Sequence, residues 1–183
     1  MGSSVSTMSE DMDSDLRQFS HFPTNDLHQW LVAFKKAYPT GYITAKNLED
    51  MFRGYFPFGS PEAFSKRLFE TINISESCAI DFHELMIAYS ILVKGSDHER
   101  LRWIFRFYDT DGDGVVSRQE MLCVIQSIIE MTSKTLELGL DPSSVTENIF
   151  NSIDYSKNTL NFEDFKTLLV QNKKAFDMLI PFS

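Results

Sequence analysis

From Asp109 to Glu120 the chain reads DTDGDGVVSRQE, a stretch with oxygen-bearing side chains at nearly every second place. Counting Asp109 as position 1, carboxylates fall at positions 1, 3 and 5 in Asp109, Asp111 and Asp113. Gly114 takes position 6, where the chain must turn sharply and a Cβ would add strain. Val115 offers its backbone carbonyl at position 7, and Ser117 at position 9 can reach an ion through a water. Glu120 at position 12 can close the shell with both carboxylate oxygens. A hard cation takes six to eight oxygens at about 2.3–2.6 Å, so this register suits reversible coordination of calcium (Ca2+), with magnesium (Mg2+) as a competitor. The alternative is a solvated acidic turn. The flanks argue against it, because LRWIFRFY before and MLCVIQSIIEM after both read as helices with one apolar face.

The loop matches the EF-hand pattern D-x-[DN]-x-[DN]-G-x₅-E at each constrained position. A single helix–loop–helix leaves an apolar face uncovered, so further copies are expected. Two markers find them: an apolar residue at position 8 and another just past position 12. Ile43 with Leu48, Ile80 with Leu85, and Leu160 with Phe165 repeat what Val116 and Met121 do.

The other three loops have lost ligands. Loop one, from Lys36 to Asn47, carries no acid and has Lys36 where an Asp should stand, so no ion is expected there. Loop two, Asn73 to Glu84, keeps Asp81 and Glu84 but has Asn73, Ser75 and Ser77 at positions 1, 3 and 5. Its Cys78 replaces the turning glycine, and weak binding at most is expected. Loop four begins at Asp154, is one residue short, and puts the shorter Asp164 at position 12. It is expected to be inactive or weak.

These units imply an all-α fold of four EF-hands in two paired lobes. Short antiparallel strands should pair Ile43 with Ile80 and Val116 with Leu160. Expected helices run from Thr24 to Lys36, Ala45 to Arg53 and Pro61 to Thr71, then near 81–93, 97–108, 118–131, 142–152 and 162–170. A short tail helix is expected near 172–180. Thr24, Ser60, Ser96 with Glu99, and Asp141 before Pro142 read as start signals. The expected domains are an arm over 1–23, an amino-terminal pair over 24–95 and a carboxyl-terminal pair over 96–183.

Composition narrows the function. The 183 residues are 43% hydrophobic and 13% aromatic, ample for packed cores, and carry a formal charge of −9. Such a balance argues against nucleic acid, whose binding rests on Lys and Arg neutralising phosphates. Cys78 and Cys123 make neither a metal spacing nor a disulfide framework, which points to a reducing compartment. No apolar run approaches the roughly 18–20 residues that cross a bilayer. The expected location is cytoplasmic, with peripheral membrane contact in reach. His21, His28, His83 and His98 form no HExxH pair and no Gly-rich phosphate loop appears, so an enzyme is not expected.

Four segments resemble the neuronal calcium sensor family: YFPFGSPEAFSKRLFE at 55–70, AIDFHELMIAYSILVKG at 79–95, HERLRWIFRFYDTDGDG at 98–114 and QEMLCVIQSIIEM at 119–131. The likeness covers about residues 24–170. PTG at 39–41 sits where the family carries Cys-Pro-x-Gly, with Tyr38 in place of the Cys. The resemblance implies a sensor that docks an amphipathic helix of a target, a channel, cyclase or kinase, in an apolar groove. Trp30, Phe34, Phe52, Phe56, Phe82 and Tyr89 are the groove candidates. A second reading is a calcium-independent adaptor or auxiliary channel subunit with a structural ion. MGSSVS also fits M-G-x-x-x-[ST], with Gly2 as a myristoyl acceptor. The acidic stretch Glu10, Asp11, Asp13 and Asp15 then leaves one acyl chain without the basic patch that usually reinforces it.

Overall fold

The computed structural model describes residues 20–136, 141–154 and 156–171. Within them the chain is all-α. The helices are α1 (Thr24–Ala37), α2 (Ala45–Tyr55), α3 (Glu62–Ile72), α4 (Phe82–Lys94), α5 (Asp97–Tyr108), α6 (Arg118–Leu136), α7 (Pro142–Ile153) and α8 (Phe162–Gln171). Two-residue strands β1 (Tyr42–Ile43), β2 (Ile80–Asp81), β3 (Val116–Ser117) and β4 (Thr159–Leu160) lie in the loops. β1 pairs antiparallel with β2, placing Ile43 opposite Ile80, and β3 with β4, placing Val116 opposite Leu160. Four helix–loop–helix units are thus joined one to two and three to four. The expected tail helix near 172–180 and the arm bearing Gly2 lie outside the described residues. No described helix is long and apolar enough to cross a membrane.

Local chemistry sets the helix starts. Asp81 and Glu84 form a reciprocal capping box on α4. Ser96 and Glu99 do the same before α5, the Ser96 N–H donating to Glu99 Oε2 at 2.7 Å and the Glu99 N–H to Ser96 Oγ at 3.3 Å. Asp141 accepts the Ser144 N–H and Pro142 opens α7. Each such cap satisfies backbone donors that the first turn leaves orphaned. Thr24, expected as a cap, is instead the first residue of α1; extended Pro23 precedes it and no side chain caps that end. Ser60 also caps nothing through its side chain in the bonds described, and its N–H donates to the Glu130 carbonyl at 3.0 Å.

Contacts divide the chain into two compact units, Met1–Thr44 with Ile72–Arg100, and Ala45–Thr71 with Leu101–Ser183. This is not the 24–95/96–183 division expected from the repeats. The first unit is built on Phe34 and Phe82, whose ring centroids lie 5.4 Å apart, with Leu27, Ile43 and Ile80 buried. In the second, α2 and α3 join the later hands because their apolar faces are spent there. Phe64 packs on Phe52 at 5.1 Å and on Phe107 at 5.7 Å, and is fully buried. Burying such a ring contributes roughly 1.5–3 kcal/mol, enough to decide which side a helix joins. Gly59 seals the junction: a Cβ there would meet the Met131 carbonyl oxygen at 1.7 Å.

Candidate metal centre

The loop between α5 and α6 needs two left-handed residues, and glycine supplies both, Gly112 at φ 73° and Gly114 at φ 87°. Asp109 follows the last turn of α5 and is buried. Its carboxylate folds back over the loop, Oδ1 accepting the Gly112 N–H at 2.9 Å and Oδ2 the Gly114 N–H at 3.1 Å. Glu120 reaches in from the first turn of α6. Its Oε2 accepts from the Ser117 amide and hydroxyl at 2.8 and 2.7 Å. Oε1 accepts the amide and hydroxyl of Thr110 at 2.9 Å each. Thus one carboxylate caps α6 and staples the two ends of the loop together.

Burial alone would push the Glu120 carboxyl up. The donors of Ser117 and Thr110 outweigh it and hold the group at about 2, so it is an anion at any physiological pH. Asp109, Asp111 and Glu120 each bring a carboxylate oxygen to within 4.8 Å of the others. Converging hard anionic oxygens on a loop already turned by its own amides fit a calcium ion. Asp109, Asp111 and Glu120 would hold it. Asp113 is not in this group; its Oδ1 accepts the Val115 N–H at 2.9 Å. The Ser117 hydroxyl, read from the sequence as reaching through water, is engaged with Glu120.

Loop two repeats the skeleton with neutral parts. Glu84 Oε1 accepts the Ser75 amide and hydroxyl at 2.9 and 2.8 Å, as Glu120 does from Thr110. Asn73 Oδ1 accepts the Ser77 N–H at 3.1 Å, and its amide donates to the Ser77 carbonyl. The strain expected at Cys78 is absent. The left-handed residue is Glu76, at φ 54°, in the place of Gly112. In loop four, the Lys157 ammonium bonds Asp164, putting a cation of the chain's own against the position-12 carboxylate. Asp154 takes the Ser156 amide and hydroxyl at 2.8 and 2.7 Å. Hands three and four are tied by Arg118, which donates to the Lys157 carbonyl at 2.8 Å and to Glu147 at 2.7 Å while lying over the Phe150 ring.

The groove candidates separate. Phe34, Phe52 and Phe82 are 7%, 7% and 3% exposed. They are core rather than an open surface, because each ring is packed against another ring. Phe56 is half-buried in the second unit. Trp30 and Tyr89 face each other at 5.7 Å in the first unit, and Phe22 lies against both, at 4.8 and 5.4 Å. The His21 amide donates to buried Ser90 Oγ at 2.6 Å and anchors that segment. Sequence reading had not singled out Phe22, Thr110 or Arg67. Thr110 sits at position 2 of the loop, where the pattern constrains nothing, and the other two act on residues far along the chain.

A carboxylate-lined loop between helices, paired through a short strand to a second such unit, defines an EF-hand protein. Residues 98–170 match the family model for an EF-hand domain pair. The chain is 30% identical to recoverin of Homo sapiens over 149 residues, covering 80% of this chain and 74% of that protein. It is 30% identical to neuronal calcium sensor 1 of Lymnaea stagnalis over 169 residues, 90% of this chain and 88% of that one. Visinin of Gallus gallus is 28% identical over 141 residues, 76% and 73% of the two chains. The chain belongs to the neuronal calcium sensor family.

Proposed function

We propose that this chain senses calcium mainly through hand three and passes the state of that loop to a target protein's amphipathic helix. The supporting observation is the convergence of Asp109, Asp111 and Glu120 on a loop whose turns are made by Gly112 and Gly114. Val115 would add its carbonyl and Asp113 would turn from the Val115 amide to complete the shell. The target helix belongs on the Trp30–Tyr89 face, where Phe22 stands in for a target side chain. The partner would be a channel, cyclase or kinase at a membrane, and a myristoyl group on Gly2 would add only marginal, reversible membrane binding. Residence there would then depend on the partner, with the protein otherwise cytoplasmic.

Calorimetric titration of the demetallated protein tests the first half, with magnesium added in a second series. One calcium per chain is expected, and Glu120→Gln should weaken it at least about tenfold, about 1.4 kcal/mol. Two or more equivalent sites, or unchanged affinity in that variant, would refute the assignment.

The closed loops of hands two and four favour a second reading, a constitutive adaptor. Loop two has neutral Asn73, Ser75 and Ser77 where loop three has carboxylates, and Asp164 of loop four is already paired with Lys157. Binding of a target peptide that is equal in calcium and in chelator would select it.

A further inference from the structure

Arg67 belongs to α3, the helix entering hand two, yet its guanidinium sits on the end of α5, the helix entering hand three. Nε donates to the Phe107 carbonyl at 2.8 Å, and Nη2 to the carbonyls of Arg106 and, at 2.9 Å, Asp109. The last carbonyls of a helix have no partner within it, and their partial negative charge attracts a cation. Only 14% of the side chain is exposed, and Glu70 lies 3.5 Å from Nη1. Burial draws the guanidinium's pKa down, and Glu70, then Asp109 and Glu120, oppose that draw.

The last two names matter because they are the loop's own carboxylates. Asp109 gives its carbonyl to Arg67 and turns its carboxylate into the loop, so a single residue joins the guanidinium to the metal centre. A divalent ion entering the loop neutralises part of the field that holds Arg67. The two positive charges then compete over a short distance, in a partly desolvated setting where such competition is weakly screened.

We infer that Arg67 is an affinity-setting residue: its half-buried charge, supplied by hand two, lowers the calcium affinity of hand three. The inference rests on the calcium reading of that loop. By linkage, the ion must loosen Arg67's grip on α5 by the same factor that Arg67 weakens the ion. Calcium would thus act on α3 through electrostatics, without any ligand in hand two.

The test is calcium titration of Arg67→Gln and Arg67→Lys beside the unsubstituted chain, with circular dichroism in chelator to verify folding. Arg67→Gln should bind calcium about threefold to tenfold more tightly, while Arg67→Lys, which keeps the charge, should stay within about twofold of the unsubstituted chain. A purely positioning arginine would give weaker binding in both, and Arg67→Gln binding no more tightly overturns the inference. Should that variant not fold, hydrogen exchange of the Arg67 Nε–H in the unsubstituted chain replaces it. Faster exchange with calcium than with chelator is expected, and equal or slower exchange overturns the inference. If the unsubstituted chain binds no calcium, the sensor reading falls as well. If it binds, Glu120→Gln abolishes binding and Arg67→Gln changes nothing, only the role of Arg67 falls.

Discussion

Glu120 carries two tasks. It caps α6 through Ser117 and closes the loop through Thr110, with four donors from these two residues on two oxygens. Its depressed pKa has a consequence for stability even without metal. A carboxylate reads about 4.3 unfolded and this one about 2 folded. Its contribution is therefore fully present above the unfolded value and is lost as pH falls from there through about 2. A carbon-13 titration of the Glu120 carboxyl in chelator should show no protonation at pH 4; a midpoint near 4.3 would mean the staple is open in solution. The convergence of Asp109, Asp111 and Glu120 was readable from spacing alone, because the pattern encodes which loop positions face inward. The turn of Asp113 onto Val115 was not readable, since short Asp side chains bond their own backbone whenever a nearby N–H is free.

At the scale of elements, the register of both strand pairs followed from one apolar marker per loop, because position 8 must enter the core wherever the loop sits. The helix starts at Ser96 and Asp141 followed from capping chemistry. What escaped the repeat pattern was the allegiance of α2 and α3. That depends on contacts such as Phe64 on Phe107 and Ser60 on Glu130, between residues far apart in sequence with no periodic signature. Gly59 offers a direct probe of this docking. Gly59→Ala forces a methyl into the Met131 carbonyl, and overpacking of this kind costs about 1–3 kcal/mol. Urea unfolding in chelator should show a loss of that size, whereas unchanged stability would mean the 55–60 segment does not dock on α6. Gly54 is the control, having nothing within 4 Å of an added Cβ.

At the scale of the whole molecule, the proposed single ion would limit how sharply the protein can switch. One site filled at a hundredfold excess over its Kd contributes about 2.7 kcal/mol, whereas driving a conformational equilibrium from 1:99 to 99:1 takes about 5.5 kcal/mol. Calcium titration followed by tryptophan fluorescence should therefore be graded, with a Hill coefficient of about 1; a coefficient approaching 2 would require a second coupled site. The overall charge of −9 was legible from the composition. Its distribution was not, because the decisive positive groups, Arg67 and Lys157, are single residues whose partners only the fold brings near.

The Lys157 contact gives the pair of carboxyl-terminal hands an asymmetry in time. The positive charge in loop four is written into the gene and arrives with the polypeptide, whereas the one proposed for loop three would be borrowed from the surroundings. One arm of the pair is then a fixed standard, and the other would be measured against it across two residues of strand.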